Sequence, residues 1–228
     1  MYYGIDIYYL ILVVPAIIIS LIAQANVKKA YSSMARVQNA RHITGAEAAR
    51  RVLAHYNINN VQIQMTQGKL TDHYDPRVNV IRLSPEVFSG TSIASVGIAC
   101  HEAGHAAQHA QNYAPIKMRN AVLPVANIGS SAGFTIAILG YFMGLDIVVN
   151  IGIILFAAVV LFQLITLPVE FNASSRALKV INETNMLYDE EIPKARKVLS
   201  AAALTYVASL LVSVMSLIRL ILRTNRRR

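Results

Sequence analysis

The sequence has no tryptophan and only one cysteine, Cys100, in 228 residues. A single thiol excludes an intramolecular disulfide framework and leaves the compartment open. Charge is also scarce: 14% of residues are Asp, Glu, Lys or Arg, against 55% hydrophobic, which is too apolar for an ordinary soluble domain. Acidic residues are the scarcer sign, 12 against 21 basic, for a formal net charge of +9. The basic residues are scattered beside apolar runs and no recognition motif accompanies them, so no nucleic-acid partner is expected. Attraction to anionic lipid headgroups accounts for them better.

What the chain has in abundance is long uncharged runs. Residues 5–25 are apolar apart from Asp6, and residues 122–145 and 147–167 carry no charge and are separated only by Asp146. Each is long enough for a transmembrane helix. Residues 201–222 read as a fourth helix, with an uncharged run before Arg219 close to the minimum for a span, and 223–228 form a basic tail. Ala23-Gln24-Ala25 resembles a signal-peptidase site. No Lys or Arg precedes it, however, so the first segment reads as an uncleaved anchor. Eleven of the basic residues fall in 26–120 and five in 168–200, while none lies in the leading segment or the Asp146 turn. This asymmetry predicts a cell-membrane protein with 26–120 and 168–200 in the cytoplasm. The five arginines after residue 218 conflict with it if the last segment crosses.

Between the first two spans the pattern changes. Thr44 and Glu47 form a possible capping box, Val61-Gln62-Ile63-Gln64-Met65 and Val78-Asn79-Val80-Ile81-Arg82-Leu83 alternate as strands, and Ser84-Pro85-Glu86 reads as a helix start. Thr91 and Ser92 are candidate caps for a proline-free, Ala-rich helix up to Gln111. Inside it lies His101-Glu102-Ala103-Gly104-His105, the pattern H-E-x-x-H. Residues four apart share a helix face, so both imidazoles can reach one Zn2+ ion, while Glu102 can carry a proton from activated water to a leaving amine.

A third ligand must come from elsewhere. His109 lies roughly 12 Å along the helix from His101, too far for the same ion. The 122–167 hairpin returns the chain to its starting side, which makes Glu170 the best candidate. The competing role for Glu170 is an interfacial carboxylate paired with Arg176 or Lys179. Asp189-Glu190-Glu191 reads as a solvated helix start before Pro193. Asp72-His73-Tyr74-Asp75 precedes a possible edge strand that can hold an extended peptide. His73 can stabilise an oxyanion and Asp72 or Asp75 can orient a zinc histidine, or the stretch can be a simple turn. Arg176 is a further candidate for support around the metal.

Leu70-Thr71-Asp72-His73-Tyr74-Asp75-Pro76-Arg77, Arg82-Leu83-Ser84, the H-E-x-x-H stretch and Pro168-Val169-Glu170-Phe171-Asn172-Ala173-Ser174 together resemble the YugP-like neutral zinc metallopeptidases of bacterial membranes. The resemblance implies a gluzincin-type site with His101, His105 and Glu170 as zinc ligands and Glu102 as catalytic acid and base. The order of parts also resembles the HtpX-like membrane proteases, except that Ser174 stands where those usually carry an aspartate. The expected fold is a mainly α, multi-pass membrane protein with a small α+β gluzincin-like domain. The expected partners are the lipid bilayer and a peptide or protein substrate associated with it. The rival function is a catalytically silent membrane scaffold or adaptor with a structural metal site.

Overall fold

The structure, a computed structural model, describes residues 6–225. Ile5, the expected start of the first apolar segment, and Arg226, Arg227 and Arg228 of the basic tail lie outside the described residues. In chain order the helices and strands are α1 (Val14–Met34, preceded by a π turn Tyr9–Val13), α2 (Gly45–His55), β1 (Gln62–Met65), β2 (His73–Asp75), β3 (Val80–Leu83), α3 (Pro85–Phe88), α4 (Ile93–Ala110), α5 (Ala114–Ile128), α6 (Phe134–Met143), α7 (Asp146–Glu183) and α8 (Ile192–Asn225). Among the described residues the chain splits into two compact units. The residues up to Gln24, Lys117–Leu167 and those from Leu204 form one, and Ala25–Ile116 with Pro168–Ala203 form the other.

The first unit is helical. Four stretches, Tyr9–Met34, Ala114–Met143, Asp146–Glu183 and Ile192–Thr224, are long and apolar enough to cross a membrane. The second stretch begins earlier than its uncharged core and tolerates Pro124 inside α5; a π turn, Gly129–Gly133, follows one turn later and leads into α6. Proline removes one intrahelical donor and so frees the carbonyl of Asn120, one turn earlier. At the end of α6, Gly144 takes φ 74° and Leu145 N donates to Gly140 O at 2.9 Å. This glycine-based stop explains how so few residues reverse the chain before α7.

The hairpin packs backbone against backbone. A Cβ placed on Gly129 would lie 2.0 Å from the carbonyl oxygen of Leu155, and one on Gly152 would lie 2.4 Å from the amide of Ala137. Helices that approach this closely associate by dispersion and shape rather than by hydrophobic exclusion, which a bilayer cannot supply. Asp6, ahead of α1, accepts from Arg219 of α8 at 2.9 Å and lies 3.6 Å from Arg223. The beginning of the first apolar helix and the end of the last therefore stand together. α8 itself is unbroken for 34 residues, roughly 50 Å at the α-helical rise.

In the second unit Thr44 caps α2 by accepting from Glu47 N at 3.2 Å. Only half of the expected capping box forms, because the Glu47 carboxylate turns to Arg51 at 3.0 Å. The sheet has the order β1-β3-β2, with β1 parallel and β2 antiparallel to β3. The alternating apolar residues of β3 make it central: Val80, Ile81 and Leu83 are buried, whereas β2 keeps an outer edge. Ser84 precedes Pro85 as expected but makes no capping bond; its hydroxyl donates to Asp72 instead. Ser92 does cap α4, accepting from Ser95 N at 3.1 Å. Glu191 differs from the expected solvated helix start. It is buried and accepts from the Ala40 and Tyr188 amides, tying the α7–α8 turn to the loop before α2.

The close hairpin makes a prediction. Gly129→Ala, favourable in an open helix, should instead cost roughly 1–3 kcal/mol through overpacking and lower the melting temperature of the detergent-solubilised protein. An unchanged or higher melting temperature would show that the two backbones can part freely.

Candidate metal centre

α4 presents His101 and His105 one turn apart, and its neighbouring small residues Ala99, Ala103, Ala106 and Ala107 are buried in the core. Gly104 governs the approach of α7. A Cβ there would lie 2.7 Å from the carbonyl oxygen of Ala173, so any side chain would push the helix away. This contact brings Glu170, only 4% exposed, to the histidine pair. Glu170 Oε2 lies 3.3 Å from His101 Nε2 and 3.6 Å from His105 Nε2, and the two Nε2 atoms are 3.1 Å apart.

Those separations test a metal directly. Donors about 2.1 Å from a tetrahedral zinc stand roughly 3.4 Å from one another, and two imidazoles with one carboxylate are a known catalytic zinc set. The three residues form a cluster able to hold a metal ion. The competing pairing of Glu170 with Arg176 or Lys179 is not formed: Arg176 donates to Asn172 and Gln111, and Lys179 faces Glu183. A buried carboxylate whose ion-pair partners, among the described residues, are two histidines is costly until a cation neutralises it.

Each imidazole is oriented through its other nitrogen. His101 Nδ1 is 3.1 Å from Ser174 Oγ, and His105 Nδ1 is 3.0 Å from Gln108 Oε1. Gln108 is fully buried and donates to Val169 O at 2.7 Å and Asn172 Oδ1 at 3.0 Å. Arg176 donates to the same Asn172 oxygen at 2.7 Å, so it acts on His105 only through this chain of amides. Gln108 and Asn172 were not expected from the sequence. The available signal was one buried-face amide three residues after His105 in an Ala-rich helix. Burial opposes protonation of His105, but the carboxylates of Glu170 and Glu102 outweigh it and lift the imidazole above its ordinary value.

Glu102, on the next position of α4, accepts from the Tyr74 amide at 3.0 Å through Oε2. The edge strand β2 thus abuts the proton-carrying candidate. The other residues of that stretch are engaged elsewhere. Asp72 accepts from Ser84 N at 2.7 Å, and His73 is exposed with Nδ1 2.7 Å from Thr71 O. Asp75 receives the Arg77 side chain at 2.9 and 3.0 Å, and these bonds hold its carboxyl far below the usual carboxylate range. His109 sits apart from the cluster, 3.4 Å from the Tyr74 hydroxyl.

A family model described as "Putative neutral zinc metallopeptidase" matches residues 9–225. The chain belongs to this family. It is 42% identical over 214 residues to "Putative membrane protease YugP" of Bacillus subtilis (strain 168), covering 94% of this chain and 95% of that protein. No solved structure matches. The family's description names zinc, and His101, His105 and Glu170 form a cluster that could hold a metal ion.

The amide chain behind His105 makes a prediction specific to this site. Gln108→Ala should weaken zinc binding by about 10- to 100-fold in a chelator competition, whereas His109→Ala should leave it unchanged. Equal losses in the two variants would remove the orienting role from Gln108.

Proposed function

We propose that this chain is a membrane-bound zinc metalloendopeptidase of the gluzincin type, with His101, His105 and Glu170 holding the ion and Glu102 serving as acid and base. The observation that carries the reading is the convergence of Glu170 Oε2 on both Nε2 atoms with Glu102 one residue from the first histidine. When bound, zinc supplies polarisation of the scissile carbonyl and acidification of water. Glu102 takes the water proton on its carboxylate and returns it to the leaving amine nitrogen. The Tyr74 amide steadies Glu102 Oε2. Ser174 and Gln108 fix the two imidazole rings, and the edge of β2 lies beside Glu102, where an extended peptide would be received. Peptide or protein segments close to the bilayer are the expected substrates.

Replacing His101, His105 or Glu170 with Ala should abolish stoichiometric zinc in the purified protein, while Glu102→Gln should retain zinc and lose casein or self-cleavage. Full zinc in Glu170→Ala would take that residue out of the ligand set. Hydrolysis surviving in Glu102→Gln would leave the family assignment standing without the proposed proton carrier.

For topology, the reading is four crossings with residues 26–120 and 168–200 in the cytoplasm and both chain ends outside. It is supported by the Lys and Arg asymmetry and by the pairing of Asp6 with Arg219 at the far end of an unbroken α8. In intact cells carrying Cys100→Ala, an impermeant thiol reagent should label single cysteines at Asp146 and Asn225 and spare one at Gly68. Labelling at Gly68 would reverse the orientation, and protection at Asn225 would remove the fourth crossing.

A further inference from the structure

Residues 66–72 join β1 to β2, and 67–71 are exposed throughout. At the tip Leu70 is 58% exposed and takes φ 55°, a left-handed conformation that a branched apolar residue adopts at a cost. The loop is nevertheless tied down on every side. Thr71 Oγ1 donates to Gln67 O at 3.0 Å, and Asp72 receives the Ser84 amide at 2.7 Å. Lys69 Nζ lies 2.8 Å from Glu86, whose other oxygen accepts from the Tyr31 hydroxyl at 3.2 Å. A strained backbone held this firmly, with its leucine turned outward, points to a task for that leucine.

The sheet register shows what stands beside it. Met65 pairs with Leu83 and His73 with Arg82, so the loop, the half-exposed Met65 and the start of α3 share one end of the sheet, and the exposed Val78 lies at the other. Tyr31 ties that end of the sheet to α1. The apolar run of α1 closes at Ala25, exposed Lys28 and Lys29 follow, and Tyr31 is only two residues further along the same helix. Lys69 holds the loop to that helix by way of Glu86 and Tyr31. A projecting apolar side chain on an element tied to a helix that carries lysines just past its apolar run is the composition of a surface that binds an anionic interface.

We propose that the 66–72 loop is a lipid-contacting element, with Leu70 in the boundary between headgroups and acyl chains and Lys28 and Lys29 of α1 facing anionic phosphates. If the peptidase reading holds, a further consequence follows for substrates. β2 begins at His73, directly after the loop, so a polypeptide lying along its edge is taken as it leaves the lipid surface. The lipid contact itself does not depend on that reading, because its test measures neither zinc nor hydrolysis.

The absence of tryptophan makes Leu70→Trp the sole such fluorophore. In full-length protein reconstituted into vesicles of phosphatidylcholine and phosphatidylglycerol, lipids brominated near the top of the acyl chain should quench its emission several-fold. Val78→Trp, equally exposed at the opposite end of the sheet, should keep its intensity. An unquenched Trp at 70, or equal quenching at 70 and 78, would overturn the proposal. Quenching at 70 that is unaltered when phosphatidylglycerol is omitted would overturn its electrostatic part.

Discussion

The site depends on two backbones being allowed to touch. Where Gly104 of α4 meets the Ala173 carbonyl there is no room for a β-carbon. The geometry of the donors follows from that approach. Glu170 lies one turn before Ala173 on α7, and a shift of one methyl diameter would separate its carboxylate from both imidazoles. Ala103 and Ala177, fully buried beside this crossing, extend the same principle. Small side chains here convert helix packing into ångström-scale placement of a charge.

Placing that charge has an energetic cost that the fold meets with amides and hydroxyls. Gln108 is buried with both ends bonded, which avoids the penalty of an orphaned polar group. Its bonds to the α7 backbone make the ring of His105 and the position of Glu170 parts of one network. Arg176 stabilises the same network from the outside, where its guanidinium also lies over the rings of Tyr56 and Tyr113 at 5.6 and 5.9 Å.

The parts readable in the chain were those written in local pattern. The helix spacing of the histidines, the alternation of the strands, the caps at Thr44 and Ser92 and the uncharged runs all rest on neighbours within a few residues. Glu170 came from a topological argument about which side a hairpin returns to. What escaped was written in three dimensions. Asp72 is a carboxylate beside a strand, and nothing local says that it serves the Ser84 amide rather than a histidine. Glu191 stands among acidic residues ahead of a proline, yet tertiary bonds to the Ala40 amide bury it. Gln108 carries no local sign of its place, because its partners Val169 and Asn172 lie on another helix.

The neutral groups behind both imidazoles bear on the formal charge that a metal centre here would have. On the proposed ligand set, with Glu170 as the one anionic donor and Ser174 and Gln108 in place of carboxylates, a divalent ion would keep one unit of positive charge. An aspartate at position 174 would bring the sum to zero. Such an arrangement would leave the ion a stronger electron acceptor. It achieves this by the identity of residues that would never touch the metal.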